Sequence, residues 1–170
     1  MIITDKEYIL NFLSGDSEDH QSRIYSEMLE WSDIQLEECH DQIQWIFPLH
    51  EPSRKATTYP VLNEETVEAG RKNPKIIKNL RAAKDRFENF YGIGQYENFA
   101  KQDRWCRDGN HNLLRITRII RSLRLFDLEI EAQEFYDYVV EVANRCSINQ
   151  NTLNYWNKAW EDNVWDSLQQ

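Results

Sequence analysis

Asp33, Glu37 and His40 follow one another at steps of four and three, and Gln44 continues the line four residues on. On a helix that spacing puts them on one side, beside an apolar stripe of Leu36, Cys39, Ile43 and Ile46. An acid three residues before a histidine can orient it for proton transfer, or supply half of a carboxylate–histidine metal site. The bland alternative is a capped first turn and a histidine satisfied by its own carboxylate. A bundle di-metal site would need a second Glu-x-x-His, which the chain lacks, so no metal and no cofactor is expected.

A second group repeats the geometry. His111, Arg115 and Arg118 again stand at steps of four and three, with Asn112 between them and Arg121 and Arg124 following. Arginine offers a planar fork for carboxylate or phosphate, so the run reads as an anion pocket near a helix amino end. The structural alternative is internal pairing, with these arginines meeting Asp33 and Glu37 across a helix–helix contact. The two stripes are complementary in charge and would then form one buried polar network. Trp45, Phe47, Tyr91 and Trp105 form an aromatic set that suits either a core or a ligand roof. Trp156, Trp160 and Trp165 could pack on the core or present a docking face to a protein partner.

The cysteines Cys39, Cys106 and Cys146 are odd in number and widely spaced, with no CxxC pair. That pattern suggests reduced thiols, and neither a zinc ribbon nor a disulfide scaffold. Cys106 lies near Arg104, Arg107 and His111, which would favour a thiolate, and so admits a Cys–His nucleophile. There is no GxSxG elbow, P-loop or HExxH. The single G-x-G, Gly92-Ile93-Gly94, follows a helix and not a strand, which rejects a dinucleotide fingerprint.

The elements that must carry these groups read almost entirely as helix. Thr4 caps a short helix through Leu13, ended by Ser14-Gly15, and 16 to 22 reads as polar loop. A second piece covers about 22 to 30. Ser32 caps a helix over about 33 to 46, whose acidic first turn suits the helix dipole. Pro48, Pro52 and Pro60 make 48 to 62 an extended excursion, with one weak strand candidate around 56 to 62. Asn63-Glu-Glu-Thr restarts helix. Asn73-Pro74 opens a long one to 91, with Ile76, Leu80, Ala83, Phe87 and Phe90 on one face and Gly92 and Gly94 at its end. Residues 95 to 109 read as loop. Helices follow over about 111 to 126, 129 to 145 (with Ile130 and Phe135 among its apolar positions) and 150 to 162. The fold class is therefore all-α: a compact single-domain bundle of six to seven helices over residues 1–170.

The chain has 170 residues, 41% hydrophobic and 29% charged, and a net charge of −9. That balance is globular, and the acidity makes nucleic acid a poor partner. No apolar run reaches the roughly 20 residues of a membrane span, and the first residues lack a signal-peptide pattern. A cytoplasmic location is expected.

The run Cys39-His40-Asp41-Gln42-Ile43-Gln44-Trp45-Ile46-Phe47-Pro48-Leu49-His50-Glu51-Pro52-Ser53 resembles the signature of the opioid growth factor receptor conserved domain. Ile46 stands where that family has leucine, and Gln42 where tyrosine is common. Phe90-Tyr91-Gly92, then Asn110-His111-Asn112 and Leu114-Arg115-Ile116-Thr117-Arg118, match a second block. The resemblance covers about residues 30 to 145 and implies a helical domain. In the animal receptor it implies binding of an enkephalin-type peptide.

These readings converge on a helical binding or interaction domain, in which helices 33–46 and 110–126 face each other. The candidate ligand-binding residues are Asp33, Glu37, His40, Gln44, Trp45, Trp105, His111, Asn112, Arg115 and Arg118, and the ligand a peptide or small anion. One alternative is a structural module that docks a protein partner through Trp156 and Trp160. Another is an enzyme with a Glu–His acid–base pair.

Overall fold

The structure is a computed structural model and describes residues 1–168. The fold class is all-α, as expected. Among the described residues ten α-helices stand beside two very short strands, β1 (Ile2–Ile3) and β2 (Tyr59–Pro60). The chain divides into two units, Met1–Ala83 and Lys84–Gln170.

In the first unit, α1 (Lys6–Ser14) is capped by Asp5 and not by Thr4: the Asp5 carboxylate accepts from the Tyr8 backbone N–H at 2.7 Å. Next come α2 (Tyr25–Leu29), α3 (Asp33–Glu38) and α4 (Gln42–Ile46). Ser32 caps α3 in a reciprocal box with Gln35. The helix expected over 33 to 46 is thus two helices. Cys39 turns extended (φ −82°, ψ 101°) and Asp41 precedes α4. The proline-containing excursion then runs back along the chain start. β2 pairs in parallel with β1, and Leu49 bridges to Val61. Asn63 caps α5 (Glu64–Arg71), its side-chain Oδ1 accepting from the Thr66 N–H.

Packing in this unit centres on aromatic side chains. Phe12 meets Trp45 edge-on at 5.1 Å and lies 5.7 Å from Tyr25. Both polar tips are satisfied: Tyr25 Oη donates to the Ile46 carbonyl at 3.0 Å, and Trp45 Nε1 to the Thr58 carbonyl at 3.1 Å. The break between α3 and α4 has a cause where the expected loop at 16 to 22 meets the helical piece after it. Arg23 reaches Asp41 with both terminal nitrogens, at 2.8 and 3.0 Å, while its Nε donates to Asp19 at 2.6 Å. Asp19 is buried and also accepts the backbone N–H groups of Gln21 and Arg23. Holding Asp41 on this fork fixes the backbone where a continuous helix would carry it elsewhere.

The helix α6 (Pro74–Tyr91) has the inward face the sequence predicts, with Ile76, Leu80, Ala83, Phe87 and Phe90 all buried. It ends at Gly92, whose φ is +66°. A Cβ there would stand 2.7 Å from the Asn98 carbonyl oxygen and 2.8 Å from Lys101 Cβ. The second unit continues through a 3-10 turn (Gly94–Tyr96), then α7 (Phe99–Trp105), α8 (Asn112–Leu125), α9 (Glu129–Ala143) and α10 (Gln150–Glu161). Helices α8, α9 and α10 pack against one another. α7 replaces part of the loop expected over 95 to 109. Asn98 caps it, and Gln102 and Trp105 are its buried positions. In α9 the inward residue of the first turn is Ala132, while Ile130 is 73% exposed.

The expectation of reduced thiols does not hold for two cysteines. Cys106 and Cys146, 40 residues apart, are joined in a disulfide, and Cys39 is the remaining thiol. Spacing that long carries no motif, so only tertiary packing brings the pair together. The bond also removes the Cys106–His111 nucleophile.

Two measurements check these packing arguments. Gly92→Ala is expected to cost about 2 kcal/mol or more, since it adds a left-handed penalty to a clash. Gly109→Ala, where a Cβ meets nothing within 4 Å, should cost less in the same urea titration. Arg23→Ala leaves buried Asp19 without its cation and is expected to cost about 3–5 kcal/mol. Burial works to raise the Asp41 carboxyl, but the hydrogen bonds and charge of Arg23 outweigh it and hold it below its ordinary value. The stability it contributes is therefore full above an ordinary aspartate value of about 4 and is lost as pH falls through the lower folded value. The gap in urea midpoint between wild type and Asp41→Asn should shrink over that acid range.

Candidate functional site

Within the first unit, Asp33 and Glu37 share one face of α3 and are both half-buried. His40 lies beyond the end of that helix, in the break, and is exposed. Gln44 is on α4 and buried. The four therefore do not form one stripe on one helix, because Asp41 is held on Arg23 between them. The Glu37-x-x-His40 spacing loses its helical meaning for the same reason. No group of three or more His, Cys, Asp or Glu side chains is arranged to hold a metal ion among the described residues.

Gln44 Nε2 donates to Ser53 Oγ at 3.2 Å, which ties α4 to the proline-containing excursion. Its Oε1 is buried with no hydrogen-bond partner among the described residues. Trp45 is wholly buried, and His20 stacks on its ring at 5.1 Å. That makes Trp45 a core residue of this unit with its N–H already used. Cys39 Sγ donates to Asp41 and accepts from Arg23, each at 3.3 Å. Burial first, and Asp41 second, push its thiol up from the ordinary value, which keeps it protonated and unreactive. Sequence reasoning passed over Asp19, Arg23 and Asp41. The available signal was an arginine four residues after an aspartate, where the expected loop meets the helical piece after it.

The second unit gathers the other candidates around the amino end of α8. Asn110 Oδ1 accepts the Asn112 N–H at 2.9 Å, one residue ahead of the N-cap position, which His111 takes without a side-chain cap bond. Asn112 is buried, and its Oδ1 accepts from Tyr91 Oη at 3.3 Å and from Arg115 Nη1 at 3.4 Å. Its Nδ2 lies 3.5 Å from His111 Nε2. Arg115 is 5% exposed, Arg118 half-buried and His111 exposed. A basic edge thus sits where the helix dipole also favours negative charge, with one guanidinium steered by a buried amide. Arg118 lies one turn further along α8.

Arg121 and Arg124 have another task. Arg121 Nη2 donates to the Asp166 carbonyl at 2.9 Å. Arg124 Nη1 donates to the carbonyls of Ala159 and Asp162, both at 2.8 Å, and the guanidinium covers the Trp160 ring. These two arginines clamp the segment that leaves α10. Trp105 is 1% exposed, with Nε1 donating to the Tyr91 carbonyl at 2.9 Å. Trp156 is fully buried, with Nε1 on the Leu113 carbonyl at 3.2 Å. Trp156 therefore cannot present the docking face expected of it, because an amphipathic α10 turns it into the core. Trp160 stacks on Tyr136 at 6.0 Å. Lys84, which sequence reasoning also missed, bridges Glu88 and Glu134 at 2.7 Å each. No helix among the described residues is long and apolar enough to cross a membrane.

Comparison with known proteins bears on both motif blocks. The profile of the family described as the opioid growth factor receptor (OGFr) conserved region matches residues 8–164. That is wider at both ends than the motifs alone indicate. The opioid growth factor receptor of Mus musculus is 32% identical over 135 residues, which is 71% of this chain and 21% of the mouse protein. The Homo sapiens receptor is 36% identical over 104 residues, 55% of this chain and 15% of that protein. Opioid growth factor receptor-like protein 1 of Mus musculus is 29% identical over 132 residues, 69% of this chain and 26% of that protein. The chain thus spans between 15% and 26% of the length of these relatives. No solved structure gives a significant match. With both blocks in order and the profile running through nearly all of its helices, the chain belongs to the opioid growth factor receptor conserved-region family.

Proposed function

We propose that this domain binds a peptide through the peptide's carboxylate, and that the amino end of α8 holds that group. The observation carrying the reading is the Tyr91–Asn112–Arg115 hydrogen-bond chain beside exposed His111 and half-buried Arg118. A steered guanidinium, a second arginine one turn on and a helix amino end all favour an anion at the same place. The name of the mouse and human relatives, receptors for an opioid growth factor, supports a peptide as the ligand class. Trp105 supports the site from the core by fixing Tyr91, and does not stack on the ligand. Asp33, Glu37, His40 and Gln44 remain candidate ligand contacts of the first unit, with Gln44 Oε1 an acceptor that a donor group could use.

Calorimetric titration with an enkephalin-type pentapeptide tests this. The free-acid peptide should bind at least tenfold more tightly than its C-terminal amide, about 1.4 kcal/mol. Arg118→Ala and His111→Ala should each remove most of that preference in protein that circular dichroism shows to be folded. Equal affinity for acid and amide, or wild-type affinity in both variants, overturns the assignment.

A further inference from the structure

We infer that Cys106 and Cys146 form a reversible thiol–disulfide latch, which fixes the loop ahead of α8 and the turn ahead of α10 and releases both on reduction. Cys106 closes α7 and is 8% exposed, while Cys146 sits half-buried in the turn between α9 and α10. The bond therefore joins two irregular segments, 106–111 and 144–149, each leading directly into a helix.

Several contacts on and beside this seam lie at the surface. The Asn149 N–H donates to Asp108 at 2.8 Å, Arg145 stands 3.6 Å from Glu97, and its guanidinium covers the exposed Phe99 ring. Exposed contacts of this kind hold weakly once the covalent link is gone. The packing of α8, α9 and α10 rests instead on buried groups away from the seam, among them Phe135, Val139, Ile116, Ile120 and Trp156. Reduction is thus expected to loosen the seam without dissolving the unit, as local opening does in other proteins.

The chemistry balances with a low-molecular-weight disulfide as oxidant. The Cys146 thiolate, the more accessible of the two, attacks oxidised glutathione and forms a mixed disulfide, expelling one glutathione thiolate. The Cys106 thiolate then attacks the Cys146 sulfur, closes the Cys106–Cys146 bond and expels the second. Two cysteine sulfurs are oxidised, two glutathione sulfurs are reduced, and the two thiol protons end on the released glutathione. Reduced glutathione reverses both steps. The third thiol, Cys39, belongs to the other unit and is kept protonated by burial and Asp41.

The test equilibrates the native protein in glutathione buffers of graded oxidation, then follows alkylation by mass and amide hydrogen exchange by segment. One alkylated thiol after denaturation is expected from the oxidised protein and three from the reduced. Exchange across 106–111 and 144–152 should speed at least tenfold on reduction, while the interiors of α8 and α9 stay protected. The Cys106→Ser/Cys146→Ser variant should exchange like the reduced protein in every buffer. Three alkylated thiols at the oxidised end, an unchanged exchange pattern, or loss of protection throughout the unit each overturns the latch.

Discussion

A buried indole must give its N–H to something, or it forfeits a hydrogen bond it had in water at a cost of about 1–3 kcal/mol. The chain buries three indoles almost completely, Trp45, Trp105 and Trp156, and all three donate to backbone carbonyls. The acceptors fall at or beside the ends of elements. Thr58 precedes β2, Tyr91 is the last residue of α6, and Leu113 lies in the first turn of α8. Each bond therefore fixes where one element starts or stops. The tryptophans supply apolar area and, through one donor apiece, set the ends of the elements around them.

That constraint explains how the residues at the amino end of α8 come to be ordered. Trp105 holds the Tyr91 carbonyl, and the Tyr91 ring packs edge-on to it at 5.6 Å. The Tyr91 hydroxyl then meets Asn112, and Asn112 meets Arg115. The chain from core to arginine is a series of hydrogen bonds, each made by a side chain whose own position is set by burial. Removing a ring at the start of that series would displace a guanidinium several residues away without touching it.

Features written into local sequence were legible. The Ser32 cap, the Asn73-Pro74 start, the inward face of α6 and the family motifs all depend on residues a few positions apart. The split of 33–46 into two helices was not, because its cause is Arg23, which lies ten or more residues earlier and draws Asp41 out of line. α7 was missed since seven residues of mixed polar and aromatic character give too little period to distinguish from loop. The disulfide was invisible for the reason that cysteines 40 apart carry no spacing signal. Trp156 and Ile130 show the remaining limit: helical period gives a face, and only neighbouring helices decide which way it turns.

The clamp formed by Arg121 and Arg124 grips three main-chain carbonyls, those of Ala159, Asp162 and Asp166. Such a grip is blind to side-chain identity. At Asp162 and Asp166 the clamp takes the segment leaving α10 by its backbone, so a change of side chain there leaves those hydrogen bonds in place. The arginines cannot change likewise, because a lysine would offer a single ammonium where Arg124 spans two carbonyls and an aromatic face. Tolerance to substitution in this region is thus lopsided: Asp162 and Asp166 can change, while Arg124, buried Ala159 and the Trp160 ring it covers cannot.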